Sequence, residues 1–418
     1  MKTKIKAHIE SPEQLEALYR EDKKGFEKAF FDVYPEIATY TIAEFWKTRL
    51  EFDSSDEEAV KTRKSDFIFL IAACAIAAFL IEIPQWVNMT VKDPFYNRNV
   101  GLIVLFGLSL YAFITKEVIK LKPLLISITV FLIAALYINL LPYNAKSDSM
   151  ILAYVHLPLM LWCLYGLIFI DFDTNDLAKR VVYLKYNGDL AILMALILIV
   201  GGIMSGLTIQ LFAAIDIKIE KFFGDYIVLS GLVSVPIVAT FIIRKFPHVA
   251  NKIAPIIANI FSPLILVTLV IYLISILITQ KDPYNDRDFL MVFNLMLLGV
   301  MAIIMFSVSE ISFYGKRRFS NIVIFMLSIV TIIINLIALS AILFRIGEYG
   351  FTPNRVAVLG SNVLILGNLL LIMVDLYKAN FKNKGTNQVE LTIAKYLPIY
   401  MWWTIFMVFV VPVLFGFK

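Results

Sequence analysis

The run Arg345-Ile346-Gly347-Glu348-Tyr349-Gly350-Phe351-Thr352-Pro353-Asn354-Arg355 sets two guanidinium groups, a carboxylate, a phenol and a threonine hydroxyl between two long apolar stretches. Two chemistries fit these residue types. In the first, Glu348 pairs with Arg345 or Arg355 and holds a tight turn shut, a structural clamp. In the second, the arginine forks hold a carboxylate or phosphate. A helix starting at Thr352-Pro353 would add backbone N–H groups and a favourable dipole to such an anion site. The clamp is the leading reading. A ligand site formed by Arg345, Glu348, Tyr349, Thr352 and Arg355 comes second.

Three more polar residues fall in or beside apolar stretches: Glu82, just before Pro84 at an expected helix break, His156 beside Pro158, and Gln210. With Arg345 and Glu348 they could line one outward-facing polar cavity. His156 serves equally well as a packing histidine or a proton carrier. Glu117, Asp171, Glu310 and Asp375 lie toward the opposite side. A carboxylate that close to an interface ordinarily snorkels or pairs with a loop lysine, the reading adopted for Asp171 and Asp375. Asn259, Asn294, Asn335, Asn362 and Asn368 are deeper and suit hydrogen bonds between helices.

Catalytic templates are missing. The chain has no His-Glu-x-x-His, Walker loop, Gly-x-Ser-x-Gly or acidic metal cluster. Its 3 histidines, His8, His156 and His248, do not make a histidine-rich metal site. Asp171-Phe172-Asp173 with Asp176 reads as a solvated turn before it reads as a cation site. Cys74 and Cys163 lie in apolar stretches and read as small hydrophobes. No catalytic residue, metal or cofactor is expected.

The elements that must position these groups are membrane helices. A chain of 418 residues that is 60% hydrophobic and 17% charged, with mean hydropathy +0.79, is too apolar for a soluble domain. The expected architecture is an all-α bundle of about eleven spans, roughly 66–87, 99–115, 123–141, 150–170, 189–213, 226–243, 255–279, 289–312, 320–344, 356–376 and 396–416. The polar first stretch leaves no cleavable signal peptide, so the first span must itself direct insertion. Lys61, Arg63 and Lys64 precede it, and every second loop is then rich in Lys and Arg. By the positive-inside rule the amino terminus is cytoplasmic, the carboxyl terminus external and Arg345–Arg355 external, in a cell membrane. The net charge of +5 suggests attraction to anionic lipid headgroups and argues against nucleic acid.

Residues 1–60 read as a soluble helical module and 61–418 as the transmembrane domain. Ser11-Pro12-Glu13-Gln14 has the pattern of a capping box, and Leu15, Leu18, Tyr19, Phe26, Ala29 and Phe30 form an apolar stripe. Pro35 should end that unit, and a second amphipathic helix should carry Ile37, Ile42, Phe45, Trp46 and Leu50. Asp53–Glu58 reads as an acidic hinge. So small a core is marginal, which suggests docking on the membrane domain or on a cytoplasmic protein partner.

An internal repeat is also suggested. Lys92–Arg98 matches Lys281–Arg287, Lys116-Glu117-Val118 matches Ser309-Glu310-Ile311, Phe169-Ile170-Asp171 matches Met373-Val374-Asp375, and Lys185-Tyr186 matches Lys395-Tyr396. Residues 66–213 and 255–416 would then be parallel repeats joined by a connector helix, 226–243.

Tyr349-Gly350-Phe351-Thr352-Pro353-Asn354-Arg355 resembles the Tyr-Gly-Leu-Thr-x-x-Arg signature of an uncharacterised bacterial membrane family, domain of unknown function 4153, with Phe351 in place of leucine. Pro12-Glu13-Gln14-Leu15-Glu16 through Tyr34-Pro35 also resembles the amino-terminal stretch of some members. The resemblance implies a polytopic cytoplasmic-membrane protein and carries no activity with it. Three functions fit the residues: first a transporter or permease with an external polar cavity, then a membrane sensor or assembly scaffold. The third is an enzyme acting on a lipid-linked anionic substrate. The bilayer is the one partner expected outright; a small-molecule or lipid ligand is left unidentified.

Overall fold

A computed structural model describes residues 1–60, 64–89, 93–142, 144, 146–213, 218–246, 262–271, 273–274, 278, 287–314, 318–382 and 387–418. All regular structure among them is helical, and the chain divides into two compact units, Met1–Phe67 and Ile68–Lys418.

The first unit begins with α1 (Lys2–Ala7), α2 (Pro12–Glu21), α3 (Lys23–Ile37) and α4 (Thr41–Val60). Ile5, Leu15, Phe26, Phe30 and Leu50 are buried at its centre. Tyr19, Phe26 and Trp46 stack edge to face or tilted, with ring centroids 5.0–5.7 Å apart. Several local expectations change. Ser11 is the N-cap of α2 but its side chain makes no capping bond, so the expected box with Gln14 is not formed; Pro12 at the first position sets the helix entrance. Asp22 caps α3 instead, accepting from the Gly25 amide at 3.0 Å. Pro35 lies inside α3, which ends two residues later, so Ile37 belongs to α3 and not to the second helix. Phe45 is 62% exposed, while Trp46 and Leu50 carry the buried stripe of α4. The expected hinge at Asp53–Glu58 is a continuation of α4, in keeping with the good helix propensity of its glutamates.

The second unit continues with α5 (Lys64–Ile81), α6 (Asp93–Ile114), α7 (Leu121–Leu140), α8 (Asp148–Phe169), α9 (Leu177–Ala213) and α10 (Leu229–Lys245). Then come α11 (Arg287–Tyr314), α12 (Arg318–Tyr349), α13 (Pro353–Phe381) and α14 (Asn387–Ile405). Among the described residues, 8 helices are long and apolar enough to cross a membrane, and Asp66–Ile81, Ser262–Ile271 and Met296–Val308 are shorter apolar helices. The chain is a multi-pass membrane protein. Helix α9 leaves Leu198, Ile199, Val200 and Ile203 exposed, as lipid solvation permits, while the buried apolar residues of the unit gather in several clusters.

Helix α12 packs chiefly on α13, which in turn packs on α14, and α11 closes the group; one apolar cluster joins all of these to Leu184 of α9. Helices α6, α7 and α8 form a second group, and α9 lies against α10, α11 and α14. Close approach depends on missing side chains: a Cβ at Gly360 would sit 1.9 Å from the Trp403 ring, and one at Gly188 would sit 1.9 Å from the Phe306 ring. Two of the proposed repeat pairs occupy unlike places, while Lys185-Tyr186 and Lys395-Tyr396 both lie inside helices, α9 and α14. Lys116–Val118 is a loop whereas Ser309–Ile311 lies inside α11, and Asp171 follows α8 with φ 55° whereas Asp375 lies inside α13. Lys281–Asp286 and Asn259 lie outside the described residues.

Candidate functional site

The Arg345–Arg355 turn is built by helix ends. Helix α12 runs through Glu348 to Tyr349, and Gly350 stops it with φ +72°, its amide donating to the Ile346 carbonyl at 2.9 Å. Thr352 then caps α13, its hydroxyl accepting from the Arg355 amide at 3.3 Å, and Pro353 takes the first helical position. The Arg355 guanidinium donates to the Tyr349 and Gly350 carbonyls, both at 2.8 Å, and lies 5.4 Å from the Tyr349 ring centre. A clamp is therefore present, but its acceptors are the terminal carbonyls of α12 and not Glu348. Those carbonyls sit at the negative end of the helix dipole, which suits a guanidinium. No ion pair joins Glu348 to Arg345 or Arg355.

Arg98 does the same work elsewhere, donating to the Asn139 and Leu141 carbonyls at the end of α7, at 3.2 and 2.7 Å. The remaining candidates are dispersed. Glu82 is buried and accepts from the Ser230 hydroxyl. The Nδ1 atom of His156 lies 2.8 Å from the Leu152 carbonyl of its own helix, and Gln210 is exposed on α9. No hydrogen bond or ion pair joins any two of Glu82, His156, Gln210 and Arg345. The structure brings together Tyr349, Thr352 and Arg355 alone.

Loop carboxylates are likewise matched. Asp171 pairs with Lys116, which also donates to the Ile168 carbonyl at 2.8 Å. Asp173 accepts from Lys179 at 2.6 Å, and Asp176 accepts from the Ala178 and Lys179 amides. The Lys179 hydrogen bond holds the Asp173 carboxyl below the usual carboxylate range. Asp375 accepts from Lys378 at 3.0 Å and from the Thr392 hydroxyl at 2.6 Å.

A different pattern occupies the middle of α12 and α13. Asn321, Ser328 and Asn335 recur every seven residues on α12, with Thr331 on the same side, and all four are buried. The Asn335 amide donates to the Asn362 carbonyl of α13 at 3.2 Å, which fixes which end of Asn335 is nitrogen. The Asn362 amide donates to Asn294 of α11 at 2.8 Å, and the Asn368 amide to the Tyr400 hydroxyl of α14 at 3.0 Å. Asn380 donates to the Asn321 carbonyl at 3.4 Å, nearer the other end. In each of Asn321, Asn335, Asn362 and Asn368 the side-chain oxygen is buried and has no hydrogen-bond partner among the described residues. Ser328 and Thr331 donate to their own helix, to Ile324 at 2.9 Å and Leu327 at 2.6 Å. The result is a seam of neutral acceptors along α12 and α13, whose amides reach α11, α13 and α14, without a formal charge among these six side chains. Such a seam can receive N–H or O–H donors, or a weakly hydrated cation.

Asn294, Asn335, Asn362 and Asn368 read from the sequence as helix-linking groups. Asn321, the unmet oxygens, the Ser328–Thr331 lining and the Tyr400 partner do not. The seven-residue spacing of Asn321, Ser328 and Asn335 in an otherwise apolar stretch was the available signal. No protein-family model matches this chain, and no curated protein or solved structure matches it either.

Proposed function

We propose that the protein is a permease of the cell membrane, crossing eleven times with its amino terminus cytoplasmic, whose cargo passes along the α12–α13 amide seam. The eleven crossings add the three shorter apolar helices to the eight long ones, and alternation of Lys and Arg among the loops supports the orientation. One observation carries the reading: four buried amide oxygens without donors lie along one helix pair in the membrane unit. Unmet acceptors are costly in a lipid-embedded bundle and are kept where they meet a passing group. The seam replaces the Glu82–His156–Gln210–Arg345 cavity as the preferred path. Membership of the domain of unknown function 4153 family is part of the same proposal and rests on Tyr349–Arg355.

Cysteine scanning tests the path. With Cys74 and Cys163 replaced, single cysteines at Asn335, Asn362 and Asn368 are reacted with a small charged thiol reagent in sealed vesicles. Labelling at these three, with none at the lipid-facing Ile199 and Ile203, is expected. If all three seam positions stay inert in both vesicle orientations, the permease reading fails.

A scaffold reading has one observation of its own. Pro12, Glu13, Glu16, Thr41, Ile42, Phe45, Trp46 and Arg49 line an open groove of about 500 Å³ on the first unit, with Phe45 exposed beside it. A cytoplasmic protein partner would dock there.

A further inference from the structure

Asp189 belongs to none of the arrangements above. It lies on α9, within a helix long and apolar enough to cross the membrane, and is only 5% exposed. Its Oδ1 is buried without a hydrogen-bond partner. The charge acting on it is Lys185, one turn earlier on the same helix.

The helices around α9 offer it no compensating cation among the described side chains. On α8, the Tyr165 hydroxyl is 2.8 Å from that of Tyr186. On α10, Arg244 is committed to the Thr115 hydroxyl. On α14, Lys395 is exposed and Tyr396 donates to the Leu364 carbonyl at 2.9 Å. On α11, Phe306 packs against Gly188 and Ser307 is bonded to Ser262, while the side chain of Glu310 lies outside the described residues. A carboxylate taken out of water is stabilised by an ion pair, by donated hydrogen bonds, or by taking up a cation. Donated hydrogen bonds are missing at Oδ1.

One turn before Asp189, the Tyr165–Tyr186 contact continues from Tyr186 to the Thr240 hydroxyl at 2.7 Å and from Thr240 to the Pro236 carbonyl at 2.7 Å. Tyr186 and Asp189 are three residues apart on one helix and so share a face. This hydroxyl chain links α8, α9 and α10.

We propose that Asp189 is a proton-binding group of the membrane unit. With Oδ1 buried and unbonded, it holds H⁺ as a neutral carboxylic acid; on release the proton leaves to water, and the Lys185 charge acts on the carboxylate. This assignment does not depend on the seam being a path.

Infrared difference spectroscopy of the full-length protein tests it, in nanodiscs of phosphatidylethanolamine and phosphatidylglycerol titrated with acid and base. A C=O band from a protonated carboxylic acid is expected at mildly acidic pH and should vanish on raising the pH. It should be absent in Asp189→Asn, moved in Asp189→Glu and retained in Asp375→Asn, whose carboxylate already has two partners. A wild-type protein without the band, or a band that survives in Asp189→Asn, overturns the proposal. So does a band that answers to Na⁺ at fixed pH and not to pH itself, because the ligand is then a metal cation. If Asp189→Asn does not fold, the Glu variant decides, and an unmoved band overturns the assignment.

Discussion

Arg355 and Asn335 stand on neighbouring helices under opposite conditions. Arg355, in the first turn of α13, places one guanidinium nitrogen on two carbonyls that end α12. Asn335, in the middle of α12, uses its amide nitrogen on Asn362 and leaves its oxygen with nothing. The contrast recurs, although Asn321, in the first turn of α12, also keeps an unmet oxygen. Arg98, Lys116 and Arg355 each meet the last carbonyls of a helix, and Asp171 and Asp375 each meet a lysine. Asn362, Asn368 and Asp189, away from the helix ends, each keep an unmet oxygen. Groups at the ends stabilise the fold; groups in the middle are left available to something that moves or binds.

The comparison is most exposed to a pair of stability measurements. Replacing Lys116 by Met removes the pair with Asp171 and the bond to Ile168, and should cost about 1–2 kcal/mol, discounted because Asp171 is half-exposed. Replacing Asn335 by Leu removes a buried polar group with one weak bond, so stability should stay within about 1 kcal/mol of wild type or rise. Thermal unfolding of both variants in one detergent gives the answer. If Asn335→Leu is the more damaging, the seam is a structural hydrogen-bond network and the contrast collapses.

A smaller effect separates Arg355 from Glu348. Arg355→Ala frees two terminal carbonyls near the surface and should cost about 1 kcal/mol. Arg355→Lys keeps the charge and one donating nitrogen but loses the planar guanidinium beside the Tyr349 ring, so it should restore only part of that. Glu348→Gln should change stability by less than about 0.5 kcal/mol, because no ion pair is lost. Hydrogen exchange at the amides of Gly350 and Arg355 reports each case. Matching losses for Arg355→Ala and Glu348→Gln would return the clamp to an arginine–glutamate pair.

These residues also mark what could be read in the letters of the chain. Apolar run length exposed the helical membrane class, and Thr352-Pro353 exposed the start of α13, because both signals are local. The true partners of Arg355 were hidden, since a backbone carbonyl is the same at every position and only the helix end makes it an acceptor. Asp189 was hidden differently. The apolar run begins at that residue, while helix α9 begins at Leu177, so the letters alone do not show that Asp189 is packed inside the bundle.

The mildest test lies in the loop after α8, where Asp173 has a lysine partner and is solvent-exposed. Its carboxyl is held below the usual carboxylate range, first by the Lys179 hydrogen bond and also by the Lys179 charge. A carboxylate depressed in the folded state contributes stability above its unfolded value, near about 4, and loses it as pH falls through the folded value. Local stability around Asp173–Lys179 should therefore be flat from neutral pH down to mild acid and decline below that. Asp173→Asn should remove the decline and leave the neutral-pH baseline almost unchanged, since exposed pairs contribute little. Hydrogen exchange at the amides of 176–180, followed against pH in both proteins, measures it. A decline already present near neutral pH, and unaffected by Asp173→Asn, would mean that a group outside this loop titrates there, and matched carboxylates at helix ends would no longer be the silent class set against Asp189.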